Sequence, residues 1–280
     1  MSARRFAVSL LVAAGALAVT AGIATARIQT KSQGKTIAAD TNRKATAKCQ
    51  RGSEAVSGGF AAPRLDPTFT ERSILPFTSK RKGHRKWKTQ GHNFADTQSG
   101  RLISFAYCDT HEPGLKVRSK TKTLPAFDPG SATARCPRGS EVVSGGFASP
   151  DALPRRGDAM FTFTSKRKGQ RKWKVSAYNN DPVNPQRLVA FAYCDEHQPG
   201  LRTRSANVNI PLAEKRSRTA ECRHGRKAYS GGYKGSVDTI ANGPFPFVSK
   251  RARGGDWKVN AAGNGSRGGP FPFTVFAYCK

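Results

Sequence analysis

The chain has 280 residues, a formal net charge of +30 and 37% hydrophobic residues. Such a charge attracts polyanions over long range and keeps a protein soluble, but it does not choose a fold. Aromatic and β-branched residues recur in short bursts, which excludes a purely disordered basic tail.

The first residues read MSARRFAVSLLVAAGALAVTAGIATA. Arg4 and Arg5 precede an apolar run from Phe6 to Ile23, and Ala24-Thr25-Ala26 has the small-x-small form of a cleavage site. The run is short for a spanning helix and rich in Ala and Gly. Residues 1–26 are therefore expected to act as a signal peptide. Cleavage near Ala26 would leave a secreted or wall-associated extracellular chain with no transmembrane segment.

Beyond Ala26 the chain repeats itself three times. ATAKCQRGSEAVSGGF from Ala45, ATARCPRGSEVVSGGF from Ala132 and RTAECRHGRKAYSGGY from Arg218 are copies of one element. A basic stretch with a single Trp follows each copy, and then ISFAYC, VAFAYC or TVFAYC. A leading segment completes the unit: RIQTKSQGKTIAA after Ala26 resembles the segments that begin at Leu115 and Leu201. The repeats are placed at 27–114, 115–200 and 201–280. Each is strongly basic, so the charge belongs to the module rather than to a tail.

Within a unit, runs of five to eight residues alternate in polarity between clusters of Gly, Pro, Asn and Asp, the pattern of strands and turns. Six strands are expected per repeat: one leading, one at each Cys, one ending in Gly-Gly-aromatic, and two in the basic hairpin. The class is all-β, read as three tandem β-sandwich-like repeats, with one pseudo-threefold β-prism-like body as the alternative. Leu188-Val-Ala-Phe-Ala-Tyr193 is apolar at both parities, which argues for packing between repeats.

Cys49 and Cys108, Cys136 and Cys194, and Cys222 and Cys279 occupy equivalent places in the three copies. In an exported chain this predicts one disulfide per repeat. A zinc cluster fits poorly, because close Cys-x-x-Cys spacing is missing and no His is shared by all copies.

FTSKRKGHRKWK from Phe77 and FTSKRKGQRKWK from Phe163 look like basic binding clusters, yet the third copy, FVSKRARGGDWK from Phe247, replaces Arg-Lys before Trp by Gly255-Asp256. The turn residues persist better than the charges, so the stretch reads first as a hairpin. Its cations are the candidate polyanion contacts: Lys80, Arg81, Lys82, Lys166, Arg167, Lys168, Lys250, Arg251 and Arg253. Trp87, Trp173 and Trp257 are either core residues or sugar-stacking platforms. Each Ser-Gly-Gly reads as a bulge or close approach rather than a phosphate cradle, with the indole expected to cover the glycines. Asp109-x-His111 and Asp195-x-His197 precede Pro-Gly turns and read as linkers between repeats. No repeated nucleophile or carboxylate pair points to catalysis, so no catalytic residue, metal site or cofactor is assigned.

The pattern CPRGSEVVSGGF, Trp and AFAYC, preceded by a short strand and repeated, resembles a family of secreted actinobacterial repeat proteins. That likeness implies bacterial origin and export and brings no activity or site residues with it. A weaker likeness, in the Cys-x-x-Gly and Gly-Phe elements, is to vitelline membrane outer layer proteins, whose three repeats build a pseudo-threefold β-prism. The functional expectation is a non-enzymatic binder of wall teichoic acids or acidic polysaccharides, with extracellular nucleic acid as a further polyanion. A lectin-like module and a secreted hydrolase with an unrecognised site are the alternatives.

Overall fold

The computed structural model describes residues 28–63, 74–151, 160–237, 242–264 and 270–280. The expected signal peptide lies outside them. Among the described residues there are strands and turns but no helix, so none is long and apolar enough to cross a membrane. Each repeat supplies six strands, as its polarity pattern predicts. The first has β1 (Gln29–Ile37), β2 (Asn42–Lys48), β3 (Glu54–Ala61), β4 (Ile74–Arg81), β5 (Lys86–Asn93) and β6 (Gly100–Asp109). The second has β7 (Lys116–Leu124), β8 (Pro129–Arg135), β9 (Glu141–Ala148), β10 (Met160–Arg167), β11 (Lys172–Asn179) and β12 (Gln186–Asp195). The third has β13 (Arg202–Ile210), β14 (Lys215–Ala220), β15 (Ala228–Gly235), β16 (Gly243–Arg251), β17 (Trp257–Asn264) and β18 (Phe271–Cys279).

The strands form three six-stranded sheets, ordered β1-β6-β3-β16-β17-β14, β2-β5-β4-β9-β12-β7 and β13-β18-β15-β10-β11-β8. Each sheet takes three strands from one repeat and three from another. A repeat places its leading, Gly-Gly and second-Cys strands in one sheet and its first-Cys strand and basic hairpin in the next. Of the two arrangements weighed from the sequence, the closed pseudo-threefold body is the one found. No repeat owns a complete sheet.

Disulfides Cys49–Cys108, Cys136–Cys194 and Cys222–Cys279 tie the two halves of each repeat, with sequence separations of 59, 58 and 57. Closing a loop of this size stabilises by about 4 kcal/mol in the chain-entropy model. The leading strands β1, β7 and β13 pack beside β2, β8 and β14, where neighbouring sheets meet at corners.

Where repeats join, pairing is short. Thr78 and Ser79 face Ala148 and Phe147, Thr164 and Ser165 face Lys234 and Tyr233, and Val248 and Ser249 face Ala61 and Phe60. Two further devices hold these seams. The register slips at Val56, Val143 and Tyr229. Their carbonyls are taken by serine hydroxyls of another repeat: Ser144 donates to Val56, Ser230 to Val143, and Ser57 to Tyr229. At the centre Phe60 meets Phe147 edge-on at 6.2 Å and Tyr233 at 6.5 Å, one ring from each repeat. The main apolar cluster draws on all three repeats, and a second cluster joins Ile74 and Leu102 of the first repeat to Phe245 and Phe247 of the third.

Candidate polyanion interface

The hairpin cations divide into two groups. The ammonium groups of Lys80, Lys166 and Lys250 lie 4.7, 4.9 and 5.4 Å from the ring centroids of Phe191, Phe276 and Phe105. The next residues continue the grip: the amides of Arg81, Arg167 and Arg251 donate to the hydroxyls of Tyr193, Tyr278 and Tyr107 at 2.6–2.7 Å. Both contacts run from one repeat to the FAYC strand of another, in a cycle. Ser-Lys-Arg is therefore a clamp between repeats. Burial pulls the Lys80 and Lys166 ammonium groups below the usual lysine range.

Two of the three guanidinium groups are also neutralised. Arg81 pairs with Glu54, and Arg167 pairs with Glu141 at 2.6 Å, with these side chains largely buried. A buried guanidinium held by a carboxylate cannot also pair with an external anion. Arg81 and Arg167, read from the sequence as polyanion contacts, are thus corrected to structural ion pairs. Lys82, Lys168 and Arg253 sit exposed at the hairpin tips and remain available to a ligand.

The tryptophans are corrected likewise as sugar platforms. Trp87, Trp173 and Trp257 are each 1% exposed, and their Nε1–H groups donate to Ser79, Ser165 and Ser249. They offer no face to a sugar. Each indole covers the first glycine of its own repeat's pair, so closely that a methyl group at Gly58, Gly145 or Gly231 would overlap it. The second glycine meets a different neighbour: Gly59, Gly146 and Gly232 lie against the Ser249, Ser79 and Ser165 backbones of another repeat. With both sides filled, Ser-Gly-Gly leaves no room for a phosphate.

The Asp-x-His segments are turns. Asp109 and Asp195 accept the amide N–H of His111 and His197 at 3.0 and 2.9 Å. Asp109 also receives the Tyr229 hydroxyl at 3.1 Å, which ties the first linker to the third repeat.

The richest exposed array of cations lies on a strand that reading the hairpins passed over. In β7 every residue before Leu124 is exposed. Lys116, Arg118, Lys120 and Lys122 share one face, opposite Cys194, Ala192, Ala190 and Leu188 of β12. Alternate residues of a strand stand about 7 Å apart, so these cations form a regular row along a sheet edge. Lys116 is paired at 2.6 Å with exposed Glu196, a contact of little energetic weight. The signal was present in the sequence as KVRSKTKT, with a cation at every second position. A corresponding corner in the third repeat forms a cleft of about 610 Å³ between β13 and β14, lined by Arg204, Arg218 and Arg223 with Ser217, Thr219 and Glu221. These corners combine cations with hydroxyl groups on rigid strands. They bring positive charge and hydrogen-bond donors together at the surface. No family model and no curated protein matches the chain.

Proposed function

We propose that this protein is a secreted, non-enzymatic binder of anionic envelope or extracellular polymers, wall teichoic acids and acidic polysaccharides first and extracellular nucleic acid after them. The row Lys116, Arg118, Lys120 and Lys122 on exposed β7 carries this reading, because an edge strand aligns several charges along one line. A net charge of +30 adds long-range attraction. Two basic corners, the β7 row and the β13/β14 cleft, supply multivalency, which raises avidity for a polymer long enough to reach both of them. Three disulfides fit an oxidising extracellular setting. Burial of all three indoles disfavours the lectin reading.

Titration with polyglycerol phosphate, and with uncharged dextran as control, tests the proposal. Affinity for the polyphosphate should fall steeply from about 50 to 500 mM NaCl, since counterion release drives such binding. Dextran should not bind. Salt-independent binding, or equal affinity for dextran, would refute the proposal.

A further inference from the structure

The first two junctions between repeats share one arrangement, and the third departs from it. At the first, Glu54 accepts the amides of Gly114 and Leu115 at 2.7 and 3.1 Å and pairs with Arg81, whose Nη2 donates to the Leu115 carbonyl at 2.6 Å. At the second, Glu141 accepts the amides of Gly200 and Leu201 at 2.7 and 3.1 Å and pairs with Arg167, whose Nη1 donates to the Leu201 carbonyl at 3.3 Å. A carboxylate thus sits between a guanidinium and two consecutive amides that straddle the boundary to the next repeat.

At the third junction the frame is retained without its acid. Arg251 Nη1 donates to the Ile28 carbonyl at 3.3 Å, which places Ile28 where Leu115 and Leu201 stand. The residue aligned with Glu54 and Glu141 is Lys227. The buried Nε of Arg251 finds no acceptor among the described residues. Asp256, whose charge reaches Arg251 through space, directs its Oδ1 to the Cys222 amide at 2.9 Å. Lys227 lies along Gly255 and pairs through its backbone with Lys280, so a lysine side chain belongs to this junction where its two counterparts have a glutamate.

We propose that the junction between repeats three and one is a binding site for a single external carboxylate, the uronate group of an acidic polysaccharide, received by Arg251 and Lys227. The planar two-oxygen group that fills the other two junctions matches the fork geometry of a guanidinium. The source of the carboxylate rests on the polymer-binding reading; the site itself does not.

Sodium glucuronate, with methyl glucoside as a neutral control, tests the site by NMR on the full mature chain, following the Arg251 Nε–H and Ile28 amide signals. Saturable, low-millimolar shifts are expected with glucuronate alone. They should vanish in Lys227→Glu, where an internal acid takes the place, and in Arg251→Gln, but persist in Lys86→Glu, which makes the same charge change at an exposed hairpin tip. Lys227→Glu should also melt at a higher temperature than the wild type, because it restores the pairing of the other junctions. Absence of a saturable shift in the wild type, or equal shifts in Lys227→Glu, would overturn the proposal. Intact glucuronate binding combined with salt-independent polymer binding would refute the polymer reading alone.

Discussion

Gly59 lies against Ser249 so closely that a methyl group on its Cα would overlap the Ser249 carbonyl oxygen. Gly146 against Ser79 and Gly232 against Ser165 repeat the relationship at the other two seams. The obstructing atom is backbone, which cannot rotate away, and only two residue pairs of ladder join the strands at each seam. Gly59→Ala should therefore destabilise by about 3 kcal/mol or more, the range of severe overpacking. Gly254→Ala, whose added methyl would meet nothing closer than Asp256 at 3.5 Å, should change stability little. Chemical denaturation of both variants checks this, and equal losses would contradict it.

Tyr193→Phe removes the acceptor of the Arg81 amide while leaving the ring against Trp87, 5.5 Å between centroids. An unsatisfied buried donor costs about 1–3 kcal/mol. Tyr107→Phe and Tyr278→Phe should cost similar amounts, because their hydroxyls accept the Arg251 and Arg167 amides. Urea midpoints of the three variants provide the comparison.

Burial pushes the phenols of Tyr107, Tyr193, Tyr278, Tyr229 and Tyr233 well above the usual tyrosine range. The unfolded chain loses these protons near pH 10, and the folded chain retains them. Above that pH the unfolded state binds fewer protons, so stability falls as pH rises. Tyrosinate absorbance should stay low past pH 10 and then appear in one step with loss of near-ultraviolet circular dichroism. A gradual rise at pH 10 with the dichroism intact would contradict this burial.

Six strands per repeat were legible because period-two alternation and Gly-Pro-Asn punctuation mark strands wherever they pair. Equivalent cysteine positions predict the observed bridges, and one Trp per Gly-Gly predicts an indole over the glycine pair, of which it covers only the first glycine. The identity of each strand's neighbour was not legible, since alternation marks a strand without naming its partner. For the same reason Lys80 and Arg81 read as ligand contacts: nothing local shows that Phe191, Tyr193 and Glu54 come to meet them. The row on β7 was passed over because its segment served as a repeat boundary, although its alternation is as regular as that of any hairpin strand.

Each disulfide joins the two halves of one repeat, and those halves belong to different sheets. A double Cys136→Ala, Cys194→Ala variant should lose about 4 kcal/mol of stability. Because the sheets are shared, the loss should appear as one cooperative transition at lower denaturant concentration. Separate melting of the second repeat would contradict a single closed body.

The most direct measurement is the salt dependence of polyglycerol phosphate binding by a variant with Arg118, Lys120 and Lys122 all replaced by Gln, beside the wild type. Each lost ionic contact removes roughly 0.7–0.9 from the slope of log affinity against log salt, on the scale set by nucleic acids. A shallower slope and weaker binding are predicted, with stability unchanged. An unaltered slope and affinity would show that the aligned cations of β7 take no part in binding.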